Sequence, residues 1–252
     1  MTGRVTDLWR HPIKGVGREQ VTSIALEVGK TMPWDRHWAI AHQDAKVDLE
    51  NPAWARCMNF ARAARGYRLM AVSSQLDEAA GTITLTHPDL ETITVNPDNV
   101  QDAKALVAWV TRISNPDRSL PAQVYHVPGR GMTDNGTANL SILSNTSLAA
   151  LSRAVGATLD QRRFRGNIWM DGFEPWEEFS WVGKHIRIGG AEFEITEPIK
   201  RCMATTVNPD TGQSDCATLD TLQSNWGYKD FGVFGVVSKA GLISPGDTVK
   251  VL

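Results

Sequence analysis

No stretch of this chain approaches the roughly 20 consecutive apolar residues that a membrane-spanning helix needs. No internal repeat and no low-complexity segment interrupts it. Charge of one sign is missing too: the formal net charge is −2, which gives no electrostatic case for nucleic acid or an anionic membrane as partner. The opening residues, Met1 to Arg10, have neither the apolar core of a secretion signal nor the Arg/Ser-rich character of a transit peptide. Cysteine is scarce. Three residues, an odd number with no framework, point to a reducing compartment, so cytoplasmic residence is expected. Cys57, Cys202 and Cys216 show neither Cys-x-x-Cys nor Cys/His spacing, which excludes a conventional zinc site. None of the six histidines sits in a triad motif. What is present is ordinary for a globular protein: 42% hydrophobic and 21% charged residues over 252 positions, enough for a sizeable core in one large or two small domains. Nine tryptophans exceed the usual share and suit core and rim packing, with some able to line a pocket mouth.

The pattern predicts a β-rich α+β chain, a barrel or sandwich with flanking helices. Val5–Trp9, Val21–Leu26 and His37–Ala41 are short β-prone runs. Thr82–Thr86 and Thr92–Val95 alternate with period two across His87-Pro88-Asp89. Asp102–Ile113 carries apolar residues at helical spacing and ends at Asn115-Pro116-Asp117. The expected division is 1–100 and 101–252. In the second part, Val124–Val127, Ile168–Met170, Trp181–Ile188, Ala191–Thr196, Val233–Val237 and Thr248–Val251 read as strands, with Gly189-Gly190 as a tight hairpin. Ser144–Ala154 reads as a helix capped by Ser144 or Asn145.

Chemistry concentrates at Arg201-Cys202-Met203-Ala204-Thr205-Thr206-Val207-Asn208-Pro209-Asp210-Thr211-Gly212. A thiol beside a fixed cation is biased toward thiolate, which attacks electrophiles or ligates soft metals. With no second cysteine nearby, Cys202 would bind a metal almost alone, as protein ligand to a cofactor bringing its own donors. The competing reading is a buried small hydrophobe. Asp210 and Thr211 read as an Asx-type turn behind it. Gly129-Arg130-Gly131 reads as a loop without a phosphate-binding motif, Cys57 as structural, and Cys216 as exposed and incidental.

The Arg201–Gly212 segment resembles the signature of the MOSC family, the domain named after the C-terminal part of molybdenum cofactor sulfurase. The likeness runs through nearly the whole chain. Leu8-Trp9-Arg10-His11-Pro12-Ile13-Lys14-Gly15 is similar to the family's opening Tyr-Pro-Val-Lys-Ser, and Asp35-Arg36-His37-Trp38 to its Asp-Arg-x-Trp. Leu143–Leu148 is similar to Leu-Ser-x-x-Ser-Leu, and Phe164-Arg165-Gly166-Asn167 to Phe-Arg-Pro-Asn. The nearest branch in style is that of the amidoxime-reducing components and their bacterial counterparts. The chain departs from the pattern at Ile199, where the family's motif has its first cysteine, at Gly15 for serine, at Gly166 for proline and at Phe234 for tyrosine.

The resemblance implies a MOSC β-barrel with flanking helices packed against a smaller N-terminal β-rich domain. It also implies a molybdenum cofactor (Mo-molybdopterin) and reduction of N-hydroxylated substrates such as amidoximes, hydroxylamines and N-hydroxylated bases. Cys202 would be metal ligand and catalytic residue. Lys14, Arg36, Arg165 and Arg201 would hold the pterin phosphate through Arg forks and a Lys point charge. Asn167 reads equally as a partner for the pterin edge and as a turn residue. Because these residues come from both parts of the chain, the site is expected in the cleft between them. No iron–sulfur or flavin domain is expected after the last strand. Electrons are therefore expected from separate proteins: a cytochrome b5-like, flavin or iron–sulfur reductase. The alternative is a sulfur carrier, with a persulfide on Cys202 received from a pyridoxal-phosphate-dependent desulfurase.

Overall fold

A computed structural model, which describes residues 2–252, divides the strands of this chain between two cores. The elements run β1 (Thr2–Arg10), β2 (Glu19–Val21), β3 (Ile24–Leu26), β4 (Trp38–His42), β5 (Ser73–Asp77), β6 (Thr82–His87), β7 (Leu90–Val95) and α1 (Val100–Thr111). They continue with β8 (Pro121–His126), β9 (Leu140–Ser144), α2 (Asn145–Val155), β10 (Ile168–Asp171), β11 (His185–Ile188) and β12 (Ala191–Lys200). Last come α3 (Thr218–Trp226), β13 (Asp230–Lys239), β14 (Gly241–Ile243) and β15 (Thr248–Val251).

Seven strands close a barrel in the order β10-β9-β13-β12-β11-β15-β1, and β1 returns to β10. β1 is the staple of this ring. It pairs antiparallel with β15 through Thr2↔Lys250 and with β10 through Leu8↔Ile168. The pairing with β10 slips between Val5 and Asp7, which is why the buried positions run Gly3, Val5, then Leu8 instead of keeping strict alternation. Val5, Leu8, Ile142, Phe193, Ile195 and Val249 fill the barrel. Closure removes the exposed edges that an open sheet would carry.

The second core packs β4 and β8, the three-stranded sheet β5-β6-β7, and α1 around Trp38, Ile40, Met70, Leu85 and Leu106. Asn99 starts α1 by accepting from the amides of Gln101 and Asp102. A third cluster sits outside the barrel, where α2 and α3 bury Leu148, Leu151, Leu222 and Phe231. Ser144 caps α2 by accepting from Ser147 N, and Gly156 ends it in left-handed backbone.

The fold is α+β and β-rich, as expected. The cores, however, do not part at residue 100: α1 and β8 pack in the first-half core, whereas β1 and β3 belong to the barrel core and sheet system of the second half. The stretch Val21–Leu26 is two strands, since β2 pairs antiparallel with the end of β1 while β3 pairs with β14. The strand expected from Trp181 begins only at His185. Trp176 turns the chain in left-handed backbone (φ 69°), Glu177–Trp181 coil as one 3-10 turn, and Trp181 is driven into the barrel core.

Candidate functional site

Loops and strand ends from both halves converge on a cleft of about 270 Å³ between the two cores. Lys14, Gly15, Arg36 and Arg62 line it from the first half; Asp134, Arg163, Arg165, Lys200, Arg201 and Cys202 line it from the second. Five of the six residues expected at a site meet here. The only carboxylate of the lining is Asp134, against seven lysines and arginines, in a chain whose formal net charge is −2. Such a cleft is a trap for an anion.

Each cation is held by its own backbone setting. Lys14 follows β1 in a turn and its amide donates to Trp38 O at 2.7 Å, tying it to β4. Its buried Nζ donates to Met132 O at 2.9 Å and to Asp134 at 2.5 Å. Gly15, at φ 74°, passes so close to the neighbouring loop that a Cβ would lie 2.5 Å from Ala61 O. Arg36 and Arg165 both occupy left-handed backbone, φ 53° and 48°. For arginine that conformation is disfavoured, and its persistence marks a geometry imposed by the surroundings.

Behind Arg36 stands a buried polar relay. Asp35 accepts from His11 N at 2.8 Å, contacts His11 Nδ1 at 3.3 Å and pairs with the Arg36 guanidinium. Burial works to raise the Asp35 pKa, but Arg36 and His11 outweigh it and hold the carboxyl well below the usual range. Burial, then Arg165, pushes His11 down to about 3, so this imidazole is neutral. Arg36 is also desolvated, yet Asp35 and Asp134 raise its pKa. In the cleft, desolvation works against the Asp134 charge; Lys14, Arg36 and Arg165 overcome it and bring its pKa to about 2.

Arg165 and Arg201 lack such counterions. Burial, then the charges of Arg36 and Arg18, lowers Arg165 to about 9. Its Nη1 donates to Gly17 O at 2.9 Å, while its Nη2 is buried with no partner. Burial brings Arg201 to about 10. Its guanidinium donates to Phe164 O at 3.0 Å and through Nε to Phe231 O at 2.7 Å, and lies over both phenyl rings. Arg201 is thus a fixed charge beside Cys202. Cys202 itself ends the β12 excursion, is exposed and unpaired with another thiol, and begins the 3-10 turn Met203–Thr206. Its carbonyl accepts from Thr205 N at 3.2 Å and Thr205 Oγ1 at 3.1 Å, which fixes the backbone that presents Sγ.

Asn167 does not join the lining. It is buried, its Oδ1 accepting from Ser141 N and Oγ at 3.1 and 2.8 Å and its Nδ2 donating to Trp9 O at 3.3 Å. It clips β1 to β9. The turn behind Cys202 is made by Asn208, whose Oδ1 accepts from the amides of Asp210 and Thr211 at 2.9 and 3.3 Å. Asp210 instead pairs with Arg162 at 2.9 Å. Cys216 is half-buried, with its pKa raised by burial.

Sequence reasoning missed Cys57 and Arg62. Cys57 lines the cleft and its Sγ accepts from Arg62 Nη1 at 2.9 Å. The one trace of them was the run Ala61-Arg62-Ala63-Ala64, small residues that let a cationic loop approach closely. Arg163 was also missed: it lines the cleft while paired through both nitrogens with Asp215, at 2.7 and 2.9 Å.

Fold and site together define a class: a closed β-barrel with an inserted β-rich half, and an exposed thiol at the base of a cationic cleft. Residues 2–119 match the MOSC N-terminal beta barrel domain and residues 129–250 the MOSC domain, so nearly all of the chain is accounted for. The protein belongs to the MOSC family. It is 26% identical over 301 aligned positions to mitochondrial amidoxime-reducing component 1 of Homo sapiens, covering 99% of this chain and 83% of that protein. It is 22% identical to molybdenum cofactor sulfurase 2 of Culex quinquefasciatus, over 88% of this chain and 33% of that much longer one. The YuaD protein from Bacillus subtilis superposes over all of this chain and 96% of its own, at 12% identity and a TM-score of 0.47. Among the described residues, no helix is long and apolar enough to cross a membrane.

Proposed function

We propose that this protein is a molybdenum-cofactor-dependent reductase of N-hydroxylated substrates. The observation that carries the reading is the cleft's composition: seven cations and one exposed thiol around a buried Arg165 Nη2 with no partner. These residues fit a pterin bearing a phosphate and a metal short of one soft donor. Arg165 and Lys14 would hold the phosphate, Arg36 would orient Arg165, and Arg201 would keep positive charge beside Cys202. Cys202 would supply the thiolate ligand. When bound, the cofactor supplies a two-electron centre at which the N–O bond of the substrate is broken. Two electrons from a separate redox protein and two protons then balance the reaction, giving the reduced nitrogen compound and water. A cytochrome b5-like, flavin or iron–sulfur reductase is the class of donor this requires.

The exposure of Cys202 favours one second reading. As a sulfur carrier, its thiolate would attack the outer sulfur of a desulfurase persulfide, and the donor's cysteine thiolate would leave. Expression in a host that makes molybdenum cofactor separates the two. Near-stoichiometric molybdenum and pterin, with reduction of an amidoxime by a supplied electron donor, supports the reductase. Protein that carries persulfide sulfur on Cys202 and no molybdenum overturns it.

A further inference from the structure

Where β4 and β8 pair lies a cluster the reductase reading does not use. His37, one residue before β4, and His126, the last residue of β8, bring their rings to a centroid separation of 4.0 Å. The register of the two strands causes this, because Trp38 stands opposite His126. Asp98, in the loop between β7 and α1, completes the group, and the donor atoms of all three residues lie within 4.8 Å of one another.

We propose that His37, Asp98 and His126, none of which lines the cleft, form a second metal site, for a first-row divalent transition ion and foremost zinc. The donor set is two imidazoles and one carboxylate, which suits zinc and leaves coordination positions open to water. The separation fits. His126 Nδ1 and Asp98 Oδ1 are 3.7 Å apart, too far for a hydrogen bond. Two ligands of one tetrahedral ion, with bonds of about 2.0–2.1 Å, stand roughly 3.3 Å apart, so a small closure suffices. The carboxylate is already oriented from behind: Asp98 Oδ1 accepts from Trp38 Nε1 at 2.9 Å, the kind of outer contact that aims a ligand. No hydrogen bond fixes the tautomer of His126, since its Nε2 is buried without a partner. Asp98 is half-exposed, so an ion has a path in from solvent.

The site differs from the cleft in the sign of its surroundings. It is built of two imidazoles and one carboxylate, whereas the cleft sets seven lysines and arginines against one carboxylate and repels cations. The test uses the full chain, treated with a chelator and titrated with Zn2+ by calorimetry and with Co2+ by visible absorption. Wild type should take up one equivalent, the cobalt form should show a tetrahedral-type spectrum, and Zn2+ should raise Tm. His37→Gln, His126→Ala and Asp98→Asn should each weaken binding at least about tenfold, while Cys202→Ser binds normally. Asp98→Asn is the decisive variant, because the exposed amide keeps an oxygen for Trp38 and so spares the fold. Absence of saturable binding to wild type, wild-type affinity in Asp98→Asn, or loss of binding in Cys202→Ser overturns the proposal. None of these readouts depends on molybdenum or on reductase turnover.

Discussion

Arg36 Nη2 donates to the backbone carbonyl of Arg165 at 3.2 Å, joining two residues 129 positions apart that both sit in left-handed backbone. The contact runs across the cleft from the first-half core to the barrel. It makes the two arginines unequal. Arg36 is locked from behind by a buried carboxylate and serves as a brace; Arg165 is braced and keeps a free donor for a ligand.

Arg165→Ala should therefore fold normally and lose cofactor. One charge-assisted contact to phosphate is worth about 1.5–3 kcal/mol, so retained pterin, measured by fluorescence after release, should fall at least tenfold. Arg36→Ala should behave differently. It strands the buried Asp35 charge, and breaking such a pair costs about 3–5 kcal/mol, which chemical denaturation would register. Equal stability losses in both variants would remove the distinction.

Cys202→Ser replaces a soft sulfur with a hard hydroxyl at an exposed position. Thermal stability should stay within about 0.5 kcal/mol of wild type, pterin should remain, and turnover should vanish. Cys57→Ser keeps an acceptor for Arg62 and should retain both cofactor and activity. Activity surviving in Cys202→Ser, checked with any N-hydroxylated substrate the wild type reduces, sinks the ligand assignment.

Stability should respond to pH through two buried groups of opposite sense. His11 has a folded pKa of about 3 against an ordinary 6.5. Between those values the unfolded chain takes a proton that the folded protein refuses, so stability falls as pH drops. Glu178, fully buried against Ser147, is pushed by burial from 4.5 up to about 7. In that window the folded protein keeps a proton that the unfolded chain releases, so stability falls as pH rises. Each slope is about 1.4 kcal/mol per pH unit. Glu178→Gln should be the more stable protein at pH 8 and lose that advantage on acidification toward pH 4.5. A difference independent of pH would count against the buried carboxyl.

Gly15→Ser restores the residue of the family motif, yet it should destabilise this chain. Position 15 has φ 74°, and its Cβ would press on Ala61 O at 2.5 Å and Arg62 Cα at 2.7 Å. Left-handed backbone alone costs roughly 1–2 kcal/mol for a residue with a Cβ. The loop carrying Arg62 would have to retreat, so cofactor retention should fall with stability, both readable on one purified variant.

The cationic set was legible because short motifs carry charge at fixed offsets: Lys14 after Pro12, Arg36 after Asp35, Arg165 after Phe164. What those motifs did not contain was the company each residue keeps. Asn167 looks available as text, but its amide is consumed by Ser141 and Trp9, partners supplied by strands far away in sequence. β9 went unread because all five of its residues are buried, which erases alternation. α3 went unread because Ala217 offers no capping side chain. Cys57 and Arg62 enter the cleft through a loop whose position depends wholly on the packing of the first-half core.

The ring closure at β1 also sets an order of events during synthesis. Its two barrel partners begin at Ile168 and Thr248, so Thr2 to Arg10 emerge from the ribosome long before either exists, with only β2 at hand to pair the Leu8–Arg10 end. The inserted half, with its own strands complete by His126, can collapse while the Thr2–Asp7 part of β1 is still unpaired on both edges. Pairings of such long sequence separation form slowly, and an unpaired strand invites association with other chains. Yield of this protein in a cell should then respond to how long β1 is kept from strangers, through translation speed and chaperone occupancy, as well as to the final stability of either core.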